Sequence, residues 1–399
     1  MTFDFRGFAR FTYLWLLRGP WTVRRMAIVL GFYVVFPLLE LLTFVGLLLD
    51  EVVFRRYRRQ PITSPVFIVG NFRSGTTFLH RLLARDVGRF SSMKMWEILF
   101  ALSIAQRRLG NALAALDRWL GSPLCQRLNR MEQRWDEQNV MHAVSLREPE
   151  EDDYLLLHIW SALSIGLSAG LLDEARAYAR FDHALPSVAK QRIMGFYRRC
   201  VQRHLYAHRA ADGNSRQYLA KNPALTPKLD TLYTVFPDAK IIYLVRSPLH
   251  VVPSFLSMME FTWRVLGVPV KDPALRDFVI EMLRHGYRYP LERLAQAPEE
   301  SWVIVNYEDL VRDPGQTIAA IYERFGFEMS GAFAQVLRAE AARARQFTSR
   351  HEYSLEKLGL TREQIVADFQ DIFVRFGFDR EVGDAQATPT ITKASASHR

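Results

Sequence analysis

The segment from residue 66 to residue 83 of this 399-residue chain carries the residue types best suited to hold an anion. The β-branched and aromatic run 66–69 precedes two glycines, Gly70 and Gly75, spaced as G-x-x-x-x-G, and apolar residues then recur at helical spacing. This pattern predicts a strand, a tight loop and a helix. Such a loop directs free backbone N–H groups and the positive end of the helix dipole at one point. We therefore predict a site for a phosphate-like anion.

The loop departs from the P-loop of nucleotidases at two positions. A lysine would be needed where Thr76 stands, and the later strand 240–245 ends in Arg246 instead of an acidic residue that would hold a magnesium water. Arg73 lies inside the loop, where its guanidinium can contact an oxyanion directly. The pattern favours transfer of an anionic group without a metal, and a P-loop kinase or nucleotidase is the alternative.

The elements around this loop predict an α/β fold. Three more strand-like runs, 217–220, 240–245 and 302–306, are each followed by a helical stretch. Strands that alternate with helices indicate a P-loop-type parallel sheet flanked by helices. Residues 92–212 are helical and aromatic-rich, which predicts a helical cap inserted in a domain that spans residues 62–382.

The N-terminal segment, residues 1–61, has the composition of a membrane-associating element. Its apolar run 26–49 contains one charged residue, Glu40, and residues 1–60 hold nine arginines against four acidic residues. The run is long enough to cross a bilayer, but Pro37 lies at its centre and a carboxylate is costly at mid-depth. The basic flanks are nearly balanced, so they set no orientation. These features favour a monotopic or re-entrant hairpin over a single pass; the alternative is a helical hairpin buried against the body or a second subunit.

The overall composition excludes several classes of protein. With 49% hydrophobic residues and a formal charge of +10, the chain is globular, and we find no nucleic-acid-binding motif. Two cysteines, Cys125 and Cys200, and no glycosylation sequon indicate a reducing compartment, with one disulfide as the alternative. We therefore expect the catalytic domain on the cytoplasmic face of a membrane, a disordered tail at 383–399, and compatibility with a homo-oligomer.

Four segments carry a resemblance to a known family. Residues 66–86, V-F-I-V-G-N-F-R-S-G-T-T-F-L-H-R-L-L-A-R-D, resemble the 5′-phosphosulfate loop of sulfotransferases that use 3′-phosphoadenosine 5′-phosphosulfate (PAPS). Residues 221–223 (K-N-P), residues 236–248 with Ser254, and residues 305–310 (V-N-Y-E-D-L) match further family motifs in the expected order. The resemblance covers residues 62–378 and is closest to a bacterial group with Arg-Ser-Gly-Thr-Thr, including the segments 96–97, 149–152 and 351–355.

The resemblance implies roles for individual residues. The 5′-phosphosulfate would be bound by Arg73, Ser74, Gly75, Thr76 and Thr77. By the same pattern Arg246 and Ser254 would bind the 3′-phosphate, and Tyr307 would lie near the adenine. Lys221 would approach the bridging oxygen or the leaving phosphate. No metal is implied.

The group that deprotonates the acceptor is less well defined. No histidine follows the K-N-P segment, so we prefer Glu97, whose carboxylate beside Trp96 would have a raised pKa. His142 and His80 are weaker candidates, and the acidic run 148–153 is interpreted as a solvated loop. The sequence predicts a PAPS-dependent sulfotransferase that acts on a hydroxyl or amine of a lipid-like acceptor, with a soluble small molecule or saccharide as the alternative acceptor. A membrane-tethered nucleotide-binding protein without activity is the rival interpretation.

Overall fold

The computed structural model of the protein describes residues 3–17, 21–138, 145–209, 216–270, 272–344 and 355–378. The predicted tail at 383–399 and the candidate base His142 lie outside these residues.

A parallel sheet forms the centre of the protein and confirms the predicted fold class. Within the described residues it has five strands in the order β2-β3-β1-β4-β5, and every neighbouring pair is parallel. The strands are β1 (Val66–Gly70), β2 (Phe90–Ser91), β3 (Gln217–Lys221), β4 (Lys240–Val245) and β5 (Trp302–Asn306). The two-residue edge strand β2 was not predicted.

Helices cover both faces of this sheet. Their bounds are α1 (Phe5–Leu17), α2 (Val23–Val53), α3 (Thr76–Leu83), α4 (Met95–Phe100), α5 (Ile104–Trp119), α6 (Pro123–Gln138), α7 (Leu163–Ala169), α8 (Leu172–Ala179), α9 (Phe181–Ala184), α10 (Ser187–Ala207), α11 (Leu229–Val235), α12 (Pro248–Leu266), α13 (Pro273–Leu294), α14 (Tyr307–Arg312), α15 (Pro314–Phe325), α16 (Gly331–Ala344), α17 (Arg362–Asp368) and α18 (Gln370–Phe376). Shorter 3-10 helices span Arg55–Arg59, Asp152–Ile159, Pro223–Lys228, Glu299–Ser301 and Glu356–Leu358. The described part of residues 92–212 is helical apart from one isolated bridge, as predicted.

Alternate residues of the central strands pack into two hydrophobic cores. Phe67 and Tyr243 point to one side of the sheet, whereas Ile68 and Ile242 point to the other. Because successive side chains of a strand face opposite sides, a parallel strand covered on both faces must be apolar throughout. All five residues of β1 are buried accordingly.

Helix α2 packs along the body by one face and leaves the other face exposed. The inner face carries Glu40, whose carboxylate lies 2.8 Å from His158 Nδ1, and Asp50, which accepts from Arg203 Nε at 3.0 Å. The outer face is apolar and includes Leu30, Val34, Leu38, Leu41 and Leu48. The helix runs through Pro37 without a break, so the re-entrant turn considered at that residue does not form.

Helix α1 packs beside α2 to make an aromatic helical hairpin. The Tyr33 hydroxyl donates to Thr12 at 2.9 Å, and Phe8 lies edge-on to Trp160 of the body with ring centroids 4.8 Å apart. By length and composition, α2 from Arg25 to Val53 is the one described helix that could cross a membrane. The free cysteines Cys125 and Cys200 form no disulfide.

The contact between Glu40 and His158 predicts a pH-dependent term in stability. Burial lowers the pKa of His158, but the hydrogen bond and charge of Glu40 outweigh burial, so the pKa is raised. A raised pKa means that the folded state holds the proton more tightly than the unfolded state. The stabilisation is therefore complete below the unfolded pKa of about 6.5 and is lost as the pH rises through the folded pKa.

We expect the His158→Gln variant to lose this term. Its free energy of unfolding, measured by denaturant titration from about pH 6 upwards, should fall less steeply with pH than that of the wild type. The exposed His183 offers a control, because the His183→Gln variant should retain the wild-type slope. Parallel curves for the wild type and His158→Gln would contradict this account.

Candidate active site

The loop between β1 and α3 has a backbone that requires its two glycines. Gly70 and Gly75 have φ values of 147° and 95°, a region that side chains other than glycine rarely adopt. Contacts impose the same restriction, because a Cβ on Gly70 would lie 2.4 Å from the Leu244 carbonyl oxygen. A Cβ on Gly75 would lie 2.4 Å from the ring of Tyr307. The loop therefore lies directly against the ends of the neighbouring strands β4 and β5.

Side chains from other elements fix the loop in this conformation. The backbone N–H of Gly70 donates to Thr226 Oγ1 at 3.0 Å, and the same hydroxyl donates to the Gly70 carbonyl at 2.9 Å. The Ser74 hydroxyl donates to the Asn71 carbonyl at 2.6 Å, and the Asn71 amide donates to the Leu283 carbonyl. Sequence reasoning did not identify Thr226 or Asn71 as residues that support the loop.

The predicted donor-binding residues converge around this loop. Arg73 has a positive φ of 68°, and its Nε donates to Ser254 Oγ on α12 at 2.9 Å. Arg246, which follows β4, donates to the Arg73 carbonyl at 3.2 Å and lies over the Tyr307 ring at 4.2 Å. Residues from three parts of the chain thus meet at the carboxyl edge of the sheet, where α/β proteins bind ligands.

The free donors at this edge suit a ligand with several anionic groups. The first amides of α3, at Thr76 and Thr77, have no intrahelical acceptor and point towards the loop. The Nε of Arg246 is buried, and it donates to none of the described residues. Two guanidiniums and a helix N-terminus provide positive charge at this edge, so these residues fit a phosphosulfate and a second phosphate.

Lys221 lies at the neighbouring strand end within a buried group of charges. Its side chain is 0% exposed, and Nζ donates to Glu151 at 2.7 Å and to Glu150 at 3.2 Å. Asp152 accepts from the Tyr218 hydroxyl at 2.7 Å and from the Asn222 amide at 2.8 Å. The interpretation of residues 148–153 as a solvated loop is therefore wrong for its central carboxylates, which are paired inside the protein.

Burial shifts the pKa values of the groups around Lys221. Burial raises the pKa of Glu151 although the charge of Lys221 opposes the change, and burial raises the pKa of Asp152 to about 6. Burial and the Lys221 charge lower the pKa of His80 to about 3, so this histidine is neutral. Lys221 ends β3 opposite Ile68 of β1, and the Asn222 backbone N–H donates to the Ile68 carbonyl, so the lysine and its carboxylates lie close to the anion loop, the loop between β1 and α3. The Glu151 side chain remains 20% exposed.

Glu97 lies in a different environment from the one predicted. Its carboxylate is 1% exposed, accepts from His208 Nε2 at 2.6 Å and from the Lys94 amide at 2.9 Å, and lies 3.6 Å from Arg107 Nε. Burial alone would raise the pKa of Glu97, but the charge of Arg107 and the hydrogen bond from His208 hold it well below the usual range. The predicted raised pKa is wrong, because Arg107 of the next helix and His208 of a distant segment stabilise the ionised form.

Glu97, His204 and His208 also bring three ligand atoms within 4.8 Å of one another, a spacing that a divalent cation would accept. Arg107 already supplies the positive charge that Glu97 requires. We therefore interpret this group as a charge-compensated polar network that supports α4.

Comparison with known proteins assigns the family. The model of the family described as "Sulfotransferase family" matches residues 65–331, more than half of the chain. The chain belongs to the sulfotransferase family. It is accordingly a sulfotransferase-type enzyme, in agreement with the resemblance carried by its motifs.

Individual relatives agree with this assignment. The omega-hydroxy-beta-dihydromenaquinone-9 sulfotransferases Stf3 of Mycobacterium bovis and Mycobacterium tuberculosis are each 26% identical over 357 residues, which cover 86% of this chain and 83% of theirs. The structure of sulfotransferase STF9 from Mycobacterium avium superposes with a TM-score of 0.64 at 18% identity, over 83% of this chain and 81% of that one. STF1 from Mycobacterium tuberculosis gives 0.60 at 22% identity, over 81% and 80%. The STF9 and STF1 structures therefore have the same fold as this chain.

The contact between Gly75 and Tyr307 predicts a strong effect of one methyl group. In Gly75→Ala the alanine would have to adopt a positive φ, which is unfavourable for it, and its Cβ would collide with the Tyr307 ring. We expect affinity for adenosine 3′,5′-bisphosphate (PAP), measured by calorimetry, to fall at least about tenfold, a loss of roughly 1.4 kcal/mol. Gly195→Ala is the matched control because no atom lies within 4 Å of its Cβ. Unchanged affinity in Gly75→Ala would exclude the loop as the binding site.

Proposed function

We propose that this sulfotransferase transfers the sulfuryl group of PAPS to a hydroxyl or amine of a lipid-like acceptor at the cytoplasmic face of a membrane. Members of the family use PAPS as the donor. The observation that carries the proposal is the convergence of Arg73, Ser254, Arg246 and Tyr307 on one glycine-bounded loop.

The loop residues would bind the transferred group, and the arginine after β4 would select the donor. We assign the 5′-phosphosulfate to Arg73, Ser74, Gly75, Thr76 and Thr77. We assign the 3′-phosphate to Arg246 and Ser254. The hydrogen bond from Arg73 to Ser254 supports this division because one ribose carries both phosphates, so their binding residues must be neighbours.

Transfer requires charge stabilisation at the leaving phosphate and removal of a proton from the acceptor. The acceptor oxygen would form a bond to sulfur as the bond between sulfur and the bridging phosphate oxygen breaks, which leaves PAP. Arg73 and the first amides of α3 would stabilise the charge that develops on the leaving phosphate. Lys221 would lie beside the bridging oxygen.

We propose Glu151, and not Glu97, as the base that accepts the proton from the acceptor. Glu151 is partly exposed, lies 2.7 Å from Lys221 Nζ, and has a raised pKa, which suits a base that works near neutrality. The carboxylate of Glu97 already accepts hydrogen bonds and has a lowered pKa, so it is a poor base.

Two observations support a lipid-like acceptor. The name of the relative Stf3 states that it acts on an omega-hydroxylated menaquinone, a hydroxyl on an apolar molecule. The outer faces of α1 and α2 are apolar, with exposed residues such as Tyr13, Leu17 and Leu30, and arginines flank this hairpin. An enzyme held at a bilayer surface meets such an acceptor where the acceptor is concentrated.

The first test compares nucleotides on the wild type and on Arg246→Ala. PAP at about a hundred times its dissociation constant should stabilise the wild type by about 2.7 kcal/mol, which is visible as a shift in the thermal midpoint. ATP with magnesium should give a much smaller shift, and Arg246→Ala should abolish the response to PAP. Arg276→Ala, a partly exposed arginine on α13, is the control. Stabilisation by ATP with magnesium alone would favour a kinase or nucleotidase.

The second test separates the two candidate bases. Glu151→Gln should lower kcat by about 10²–10⁴-fold while PAP affinity is retained, because a general base contributes about this factor. In the wild type kcat should rise with pH through the raised pKa of Glu151, and this limb should be absent from the variant. Glu97→Gln should instead lower the thermal midpoint with little change in kcat per folded molecule. The reverse result would restore Glu97 as the base.

A further inference from the structure

The hairpin of α5 and α6 exposes apolar side chains that the described part of the protein does not cover. Leu109, Leu113 and Trp119 of α5 are 61%, 53% and 81% exposed, and Leu124 of α6 is 61% exposed. Nearly all described residues of α5 after Arg107 are exposed, and Asp117 is the buried exception. Soluble monomers rarely expose apolar patches of this extent, so the hairpin is expected to meet another apolar phase.

Two buried carboxylates hold the hairpin in a defined place. Asp50 of α2 accepts from the backbone N–H groups of Ile104 and Ala105 at 2.9 and 3.1 Å and thereby caps the start of α5. Asp117 accepts from the amides of Leu124 and Cys125 at 2.8 and 3.0 Å and caps the start of α6. A carboxylate at a helix N-terminus stabilises that helix. The exposed apolar face is therefore attached to α2 by specific bonds.

The hairpin begins against α2, whose outer face is also apolar. A Cβ on Gly46 of α2 would lie 2.4 Å from the Ser103 hydroxyl, so the two elements are in direct contact where α5 begins. Exposed arginines border this junction: Arg55 and Arg56 follow α2, and Arg108 of α5 stacks over the Phe54 ring at 4.5 Å. An apolar face bordered by cations complements the acyl region and the anionic headgroups of a bilayer.

We propose that the α5–α6 hairpin and the outer face of α2 form one surface that binds an anionic lipid bilayer, with α2 lying along the membrane. This surface differs from a membrane-spanning arrangement, because Glu40 and Asp50 bind His158 and Arg203 of the body along the length of α2. A helix tied to the body along one face cannot enter the bilayer without the body. A second copy of the chain is less suited to cover the surface, because a two-fold contact would bring like-charged arginines together.

The surface leads towards the proposed base, and in this respect the inference rests on the proposed function. A Cβ on Gly110 of α5 would lie 3.1 Å from the ring of Trp96. The Trp96 and Met95 amides donate to the carbonyls of Leu146 and Glu148, in the segment that continues to Glu151. A membrane lipid whose tail stays in the bilayer at the hairpin would thus find its head group near the transfer site.

Flotation of the full-length protein with vesicles tests the surface. We expect binding to vesicles of phosphatidylcholine with phosphatidylglycerol and weaker binding to phosphatidylcholine alone. The variant Leu113→Gln/Leu116→Gln/Trp119→Gln should bind the mixed vesicles about tenfold more weakly or worse. The control Val188→Gln/Val374→Gln, which alters exposed residues of α10 and α18, should bind as the wild type does.

An environment-sensitive probe locates the contact. In a Cys125→Ser background, a fluorophore on Leu113→Cys should shift to the blue with mixed vesicles and be quenched by brominated lipid, whereas a fluorophore on Val188→Cys should not respond. An unchanged probe at residue 113 would overturn the proposal. So would a hairpin variant that turns a dimer into a monomer in size-exclusion chromatography while vesicle binding is unchanged. Stabilisation by PAP, measured in parallel, reports on the proposed function independently.

Discussion

The anion loop depends on one steric constraint, the absence of side chains at Gly70 and Gly75. Their Cα atoms lie against the Leu244 carbonyl and the Tyr307 ring, so any larger residue would move the loop away from the strand ends. The close approach allows Arg246 to contact both the loop backbone and the Tyr307 ring. The strand order places β1 between β3 and β4, so the loop at its end is bordered by residues from both neighbours. The proposed donor site depends on this arrangement.

Buried charges determine how the remaining elements attach to this centre. Arg203 of α10 binds Asp50 and Glu51 of α2, and Lys221 binds the carboxylates ahead of the 3-10 helix at residues 152–159. Such pairs add little net stability because each ion loses its hydration, but removal of one partner is strongly unfavourable. These ion pairs therefore favour one packing arrangement of the helices on the centre of the protein. The apolar helix α2, which could pack in several ways by hydrophobic contact alone, is held in one position.

Local signals in the sequence predicted the sheet and the loop. The edge strand, the burial of the charged groups and the exposure of α5 depend on contacts that these signals do not report. The β-branched runs predicted four strands, but β2 has two residues and no detectable pattern. The burial and pKa of Glu97 depend on Arg107, one helix away, and on His208, which is remote in sequence. Those of the acidic run depend on the equally remote Lys221, so neither could be deduced from local sequence. The alternation of leucine and alanine in α5 is typical of a packed helix, and only the structure shows that no described residue covers its outer face.

The acidic run 148–153 connects the anion loop with the apolar surface of the α5–α6 hairpin. Its carboxylates bind Lys221, which ends a strand beside the anion loop, and its backbone pairs with the segment that leads to α4 and Trp96. Helix α5 packs on Trp96 through Gly110 and carries the exposed apolar face. The proposed proton acceptor, Glu151, lies at this junction. Strand β3 lies between it and the anion loop, and helix α4 lies between it and the apolar face of α5. In the proposed transfer to an apolar acceptor, a base at this junction would lie between a charged donor and a substrate that stays in a lipid phase.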